Sequence, residues 1–215
     1  ITCRDWSSDV CSSDLLGRAL LRYFELLKNR RLLGYLGAGG FLYAGMFAYV
    51  AGTPFVYITY YHFPARFYGL LFGLGIIGIM LANILNRWLV GHFSYDRILL
   101  LGTITAMCAG SWTGLAAYNG LGGLWGLVVP LFLFASTTGL IVANSITGAL
   151  ADFPQRAGAV SALTGAVQYG SGIFGSGLVG LWADGTPWPL GLVIAMSGLG
   201  CLLSMLLLIP ARAGK

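Results

Sequence analysis

Charge is scarce in this 215-residue chain. Asp, Glu, Lys and Arg together make up 9% of the sequence, and hydrophobic residues make up 57%, whereas charged residues make up about 25% of a soluble domain. The chain also lacks a nucleophile beside a base, paired carboxylates, a phosphate-binding loop and a cluster with metal-ligand spacing. These absences predict a polytopic membrane protein that has no enzymatic activity and needs no cofactor.

Cysteine is also sparse, and basic residues form no contiguous patch. Of the four cysteines, Cys3 and Cys11 lie in an atypical N-terminal segment, while Cys108 and Cys201 lie in apolar runs. We therefore expect neither a disulfide nor a zinc site. The formal net charge of +5 comes from residues scattered at the ends of apolar runs, which argues against a nucleic-acid partner.

The N-terminal segment, residues 1–15, differs in character from the rest of the chain. It has no initiating Met and neither the apolar core nor the cleavage site of a signal peptide. Its run from Asp5 to Leu15 resembles a common sequencing adapter translated in frame, DWSSDVCSSDL. We interpret residues 1–15 as a disordered artefact, with the biological chain starting near Leu16. The alternative is a natural disordered tail.

Residues 16–33 alternate apolar and basic positions. This pattern is typical of an amphipathic helix lying on a membrane surface, so we predict a cytoplasmic linker there. The exposed end of a longer helix explains the pattern equally well.

Six apolar segments follow, at about 34–60, 67–90, 98–118, 124–150, 158–182 and 188–209. Each has roughly the 20 residues that an α-helix needs to cross a bilayer. The sequence therefore predicts an all-α bundle of six membrane spans over residues 34–210, with a short tail at 211–215. Pro54 and Pro130 fall within spans, where each can introduce a bend.

Basic residues fix the expected orientation, because Lys and Arg accumulate on the cytoplasmic side of membrane proteins. Apart from Arg4 in the N-terminal segment, only Arg66 falls on one side of the predicted bundle. The other side receives Arg18, Arg22, Lys28, Arg30, Arg31, Arg87, Arg97, Arg156, Arg212 and Lys215. We therefore expect both ends of the chain to be cytoplasmic. Six aromatic residues near span ends on the opposite side are typical of an interfacial belt: Tyr60, Tyr61, Tyr118, Trp125, Trp182 and Trp188.

The stretch from Ile141 to Gly177 predicts a tight membrane hairpin. A long apolar run stops at Asp152, Pro154 prevents continuation of the helix, and a second run begins directly after Arg156. Small residues recur beyond the turn, several of them four apart, and allow helix backbones to approach closely in lipid. They are Gly158, Ser161, Ala162, Gly165, Gly172, Ser176 and Gly180.

Two stretches of this sequence resemble a known family of transporters. The first has Asn144-Ser145, Ala151-Asp152-Phe153-Pro154, Ala157-Gly158, Ser161-Ala162-Leu163 and Gly165. The second has Gly34-Tyr35-Leu36, Gly40-Phe41, Ala44-Gly45-Met46-Phe47 and Pro54-Phe55-Val56-Tyr57-Ile58. They are similar to the hairpin between helices ten and eleven, and to the seventh helix, of the Bcr/CflA drug-efflux branch of the major facilitator superfamily. The resemblance covers roughly residues 18–210.

This resemblance implies the second half of a 12-helix transporter of a bacterial inner membrane. Such a protein exchanges protons for small amphiphilic drugs by alternating access, with its substrate held between two six-helix bundles. No span carries a buried acid, so the proton-carrying residue is expected in the other half. A structural six-span subunit and a membrane-embedded enzyme are the alternatives that the sequence leaves open.

Candidate site residues come from polar and aromatic positions within the spans. An unpaired amide in hydrocarbon is costly, so polar side chains there should face protein or water. We predict a substrate cavity lined by Tyr43, Phe47, Thr137, Asn144 and Gln168. A bond between helices suits Gln168 equally well and is favoured for Asn144, and plain helix packing is the commonest explanation for Tyr43 and Phe47.

A conformational loop is the second candidate site, at Arg87, Asp96 and Arg97. It occupies the place of the superfamily's charged loop between the second and third helices of a bundle, although its spacing is one residue longer and the trailing basic pair is absent. Ordinary cytoplasmic anchoring is the alternative.

Overall fold

A computed structural model of the chain describes residues 25–209. It contains seven α-helices, which we number in chain order: α1 (Arg30–Pro54), α2 (Ala65–Val90), α3 (Tyr95–Asn119), α4 (Gly123–Ser136), α5 (Thr138–Ala151), α6 (Ala157–Leu181) and α7 (Trp188–Leu208). A π-helix, Phe55–Tyr60, continues α1, and a 3₁₀ turn, Pro154–Arg156, joins α5 to α6. The described part of the chain has no β-strand, and the predicted all-α class is confirmed.

Within residues 25–209, five segments are long and apolar enough to cross a membrane: Arg30–Tyr60, Ala65–Val90, Tyr95–Asn119, Gly123–Ala151 and Trp188–Leu208. Helices α4 and α5 together form one of them. Helix α6 has 25 residues, which is sufficient length, but it is not among the five. Glycine, serine and Gln168 take positions in α6 that apolar residues occupy in the other helices.

The first span begins earlier than the sequence pattern indicates. Helix α1 starts at Arg30, and the Asn29 side chain caps it by accepting hydrogen bonds from the backbone N–H groups of Arg31 and Leu32. Leu26 and Leu32, within the predicted linker, are 1% exposed and join the core. Residues 1–24 and 210–215 lie outside the described range, and with them the predicted artefact, the tail and half of the linker.

The two prolines within spans have different effects. After Pro54, which offers no N–H, the Phe55 N–H bonds to the Gly52 carbonyl and the helix continues with π geometry. Pro130 instead lies inside an uninterrupted α4, and the fourth span breaks at Thr137. The Thr137 hydroxyl donates to the Phe134 carbonyl at 2.6 Å, an acceptor that it shares with its own backbone N–H, so side chain and backbone compete at the break.

Helix α1 is the centre of the bundle and packs against α5, α6 and α7, while α7 also packs along α3. Glycine makes the closest approaches possible. A Cβ at Gly175 of α6 would overlap the backbone carbonyl of Ala44 in α1, and one at Gly198 of α7 would lie 2.5 Å from the Ala106 carbonyl oxygen in α3. In lipid there is no hydrophobic driving force between helices, so close contacts of this kind are what holds the helices together.

The small residues of α6 divide between two faces. Val160, Thr164, Gln168, Gly172 and Gly175 form its buried face. The positions of Gly158, Gly165, Gly177 and Gly180 instead open onto space, as do those of Gly69 and Gly73 in α2. The predicted glycine packing is therefore present on one face of α6, and further glycines of α6 and α2 contact nothing in the described chain.

The helices alternate in direction, so the bundle has two chemically different ends. The basic end comprises the starts of α1 and α3 and the turn between α5 and α6, where Arg31 contacts both Asp96 and Asp152. The aromatic end comprises the loops at 61–64, 120–122 and 182–187, where Tyr60, Tyr118 and Trp188 line a common cavity.

Candidate functional site

Tyr43 and Phe47 lie one helical turn apart on α1 and meet Tyr169 of α6. We call these three the aromatic trio. Tyr43 and Tyr169 pack edge to face with ring centroids 5.5 Å apart, and Phe47 and Tyr169 do so at 6.4 Å. The Phe47 ring occupies the space that a Cβ at Gly172 would need. Tyr169 is 60% exposed, so the trio presents aromatic surface on the outside of this bundle.

Tyr169 was not among the residues predicted from the sequence. The available signal was its place beside Gln168 in a helix otherwise composed mainly of small and aliphatic residues. An aromatic side chain in such a helix has no equally large neighbours on its own helix, so it must pack on another helix or face a ligand or lipid. Part of the Tyr169 ring packs against two rings of α1, and the rest is exposed.

Gln168 lies next to Tyr169, on the buried face of α6, and is 4% exposed. Its amide packs against Gly39 of α1, where a Cβ would be 3.0 Å from Nε2 and 3.4 Å from the Ser145 hydroxyl of α5. Nε2 is enclosed and has no hydrogen-bond partner within residues 25–209. A buried donor without a partner is unfavourable by about 1–3 kcal/mol. The Gln168 amide therefore lowers the stability of this bundle.

Asn144 differs from Gln168, because its side-chain nitrogen has hydrogen-bond partners. Its Nδ2 donates to Asn86 Oδ1 of α2 at 2.6 Å and to the Leu140 carbonyl at 2.7 Å. Asn144 is 2% exposed and Asn86 is 9% exposed. The pair therefore joins α5 to α2 inside the bundle, which agrees with the helix-bonding alternative for Asn144.

Thr137 lies at the break between α4 and α5 and is 2% exposed. Its hydroxyl bonds within its own helix. The adjacent Thr138 Oγ1 is enclosed and, within the described range, has no partner. Broken helices in transporters commonly lie beside substrate sites, and this break is the one point where the fourth span departs from regular helix.

The five predicted cavity residues do not form a single cluster. The structure brings Tyr43 and Phe47 together around Tyr169, places Gln168 against Gly39 of α1, and holds Asn144 and Thr137 in bonds within the bundle. The surface that this bundle alone offers to a ligand is therefore aromatic, and the unpaired Gln168 amide lies beneath it.

A charged cluster at the basic end joins three helices. Arg31 of α1 contacts Asp96 of α3 at 2.8 Å and Asp152 at the end of α5 at 3.1 Å. The Tyr35 hydroxyl accepts from the Arg31 guanidinium and donates to Asp96 Oδ1 at 2.6 Å. The Tyr35 ring fits against α5 because residue 148 is glycine, where a Cβ would lie 2.5 Å from the ring.

Of the three predicted loop residues, only Asp96 belongs to this charged cluster. Arg87 and Arg97 are exposed at the end of α2 and the start of α3. The cationic partner of Asp96 is instead Arg31, 65 residues earlier in the chain. Asp96 therefore braces helices within this bundle, while the two arginines face outward.

We expect Gln168→Leu to leave the stability of the bundle unchanged or to raise it, because leucine removes an unpaired buried amide while keeping a similar volume. Asn144→Leu is the matched control and should lower stability by about 0.6–2 kcal/mol, since it breaks an interhelical bond and orphans the Asn86 carbonyl. Thermal unfolding of the two purified variants measures the difference. A loss for Gln168→Leu as large as that for Asn144→Leu would contradict an unpaired amide.

The fold defines an all-α, multi-pass membrane protein. No protein-family model matches the chain. It is 30% identical over 200 residues to an MFS-type transporter, YdgK, of Bacillus subtilis, a match that covers 93% of the chain and 49% of the relative. It is also 30% identical over 161 residues to a bicyclomycin resistance protein homolog of Haemophilus influenzae, covering 74% of the chain and 40% of the relative.

The chain is similar to transporters of the major facilitator superfamily and to its Bcr/CflA branch. It spans about half the length of the curated relatives that it matches. The predicted resemblance is confirmed, and the names of these relatives point to transporters rather than enzymes.

Proposed function

We propose that this chain is the C-terminal half of a proton-coupled exporter of small amphiphilic drugs, acting by alternating access in a bacterial inner membrane. The observation that carries the proposal is the similarity along 93% of the chain to an MFS-type transporter about twice as long as the matched region. The second relative is named for bicyclomycin resistance, which favours a drug as the substrate class.

The outer faces of α2 and α6 support a partner bundle. Side chains that only meet lipid are usually large and apolar, whereas small residues in membrane helices mark close helix contacts. Glycines 69, 73, 158 and 165 are open on these two helices. In the proposed full protein, a second six-helix bundle packs against them and covers the aromatic trio, which then forms one wall of the substrate cavity.

The aromatic trio suits amphiphilic substrates. Aromatic rings supply a large apolar contact area, and their faces attract cations. Gln168 and Thr138 each have a buried polar atom without a partner in the described range. In this proposal, water or substrate admitted during the transport cycle satisfies those atoms.

The proton-carrying residue belongs to the other half in this proposal. Within residues 25–209, the acids nearest to a span are Asp96, in the first turn of α3, and Asp152, just after α5, and both contact Arg31. Neither lies at the membrane midplane. The conformational role is assigned to the exposed Arg87 and Arg97, which meet the partner bundle in one of the transport states.

Transport by the full-length protein tests the proposal. We expect inverted membrane vesicles to accumulate amphiphilic drugs when a proton gradient is present and to lose them when an uncoupler dissipates it. Vesicles without the protein are the control. Accumulation that survives the uncoupler would exclude proton coupling, and no accumulation of any drug tested would favour a structural subunit.

We expect the turn between α5 and α6 to be cytoplasmic and the loop between α6 and α7 to be periplasmic, because basic residues concentrate at the first of these two ends. Single cysteines at Gln155 and Thr186, in a background lacking the native cysteines, report the two sides. A membrane-impermeant thiol reagent added to intact cells should label position 186 and spare position 155. The reverse pattern would overturn the proposed orientation.

A further inference from the structure

A cavity of about 450 Å³ opens at the aromatic end of the bundle. It lies between the end of the π-helix, the end of α3 and the loop that leads into α7. Its wall includes four aromatic rings and one carboxylate, from Tyr60, Tyr61, Tyr118, Trp188 and Asp184. None of these residues belongs to the predicted substrate cavity or to the charged cluster.

The four rings form two edge-to-face pairs. Tyr60 and Tyr61 have ring centroids 5.0 Å apart, as do Tyr118 and Trp188. An interfacial aromatic belt explains rings at this depth of a membrane, but it does not require them to converge. Trp182, at the same end of the bundle, does not line this cavity. The convergence of four rings on one space is therefore a property of this site rather than of the belt.

Asp184 supplies the negative charge. Its Oδ1 accepts from the Thr186 backbone N–H at 2.9 Å and from the Thr186 hydroxyl at 2.6 Å. These hydrogen bonds hold the pKa of the Asp184 carboxyl below its usual range, so it is ionised at neutral pH. Both bonds from Thr186 go to Oδ1, so they leave Oδ2 available to pair with a positive charge.

The helix ends around the cavity add to the attraction for a cation. The π-helix ends at Tyr60 and α3 ends at Asn119, and the C-terminal end of a helix carries partial negative charge. The start of α7 acts in the opposite sense, but the Thr186 hydroxyl accepts from the Trp188 backbone N–H. The basic residue of this end, Arg66, lies over the Phe67 ring and outside the cavity wall.

We propose that this cavity binds an organic cation, a quaternary ammonium or phosphonium centre with apolar substituents, between the four rings and the Asp184 carboxylate. The positive centre lies within reach of the ring faces and of Oδ2, while its substituents contact the rings. The site is contained in this chain at the end opposite the charged cluster, so binding can be measured without transport and does not depend on the function proposed above.

Tetraphenylphosphonium is a suitable probe, and tetraphenylborate, which has nearly the same shape and the opposite charge, is its control. Both are measured by equilibrium dialysis against the full chain in phosphatidylglycerol nanodiscs, with empty nanodiscs subtracted. We expect saturable binding of the phosphonium and none of the borate. Equal binding of the two ions, or no saturable binding of the phosphonium, would overturn the proposal.

Two substitutions locate the site. Asp184→Asn keeps the side-chain acceptor for Thr186 and removes the charge, and Tyr118→Leu removes one ring. Each should weaken phosphonium binding about two- to fivefold, the usual effect of one partly exposed cation contact, and the double variant should weaken it about tenfold. Tyr118→Phe, which keeps the ring, and Trp182→Leu, at the same end but outside the cavity, should bind as the unmodified chain does.

Circular dichroism on the same samples checks that each variant is folded. Unchanged affinity in the folded double variant would place the phosphonium elsewhere and overturn the proposal. A lipid ammonium headgroup has the same chemistry as a soluble cation, so the dialysis is repeated with phosphatidylethanolamine in the nanodiscs. Weaker phosphonium binding there identifies the headgroup as a competing occupant of the cation site, and unchanged binding identifies the soluble cation as its ligand.

Discussion

Replacing Gly175 by alanine is expected to abolish most of the folded protein. The new Cβ would overlap the Ala44 carbonyl of α1, a backbone group that can move only if the whole helix moves. Inserting a methyl group into a close contact typically lowers stability by about 1–3 kcal/mol, and more where nothing can yield. Thermal unfolding and the yield of monodisperse protein measure the loss.

Gly177→Ala is the matched control for this prediction. It lies on the same helix two residues away, is exposed, and has no atom within 4 Å of its added Cβ. Alanine should be neutral or slightly stabilising there, because it favours helix more than glycine does. Equal unfolding temperatures for the two variants would show that α1 and α6 are not packed as closely as described.

Arg31→Leu is expected to have a second large effect, because it leaves Asp96 and Asp152 near each other without their shared cation. Arg31 and Asp96 have side chains 16% and 17% exposed, so water screens the cluster only partly. Removing one partner of a buried ion pair lowers stability by roughly 3–5 kcal/mol, and we expect about 2–4 kcal/mol here. Thermal unfolding against the exposed control Arg30→Leu gives the measurement.

Two further variants separate charge from geometry in this cluster. Arg31→Lys keeps the charge, but one ammonium cannot reproduce the planar set of donors that reaches two carboxylates and the Tyr35 hydroxyl, so an intermediate loss is expected. Adding Asp96→Asn to Arg31→Leu should recover part of the stability, because one unpaired charge is removed. Strictly additive losses would mean that the two residues do not interact.

Five of the six predicted membrane spans, and the resemblance to the relatives, could be predicted from the sequence because both depend on local patterns. The remaining predicted span, at about 158–182, forms α6, which is long enough but not among the five. Runs of about 20 apolar residues identified the helices, and short matching motifs identified the relatives. The break at Thr137 could not be predicted from the proline rule, because Pro130 is accommodated within α4 while a threonine hydroxyl competes for backbone acceptors seven residues later.

The partners of the polar residues could not be predicted for a different reason. Asn144 bonds to Asn86 across 58 positions of sequence, and Arg31 meets Asp96 across 65. Such pairs depend on how the helices rotate and pack, which apolar spacing alone does not specify. The face on which Gln168 lies is set in the same way, by the glycine contacts that bring α6 against α1.

The composition of α6 also bears on how the protein is made. A segment leaves the translocon for lipid according to its own apolarity. Among the long helices of the described chain, α6 is the one that is not apolar enough to count as a span. Only residues 152–156 separate it from α5, and its polar face is covered by α1 once the bundle forms. We therefore expect the helices synthesised earlier to remain at the translocon until α6 emerges. Helix α6 then enters the bilayer packed against them rather than by itself.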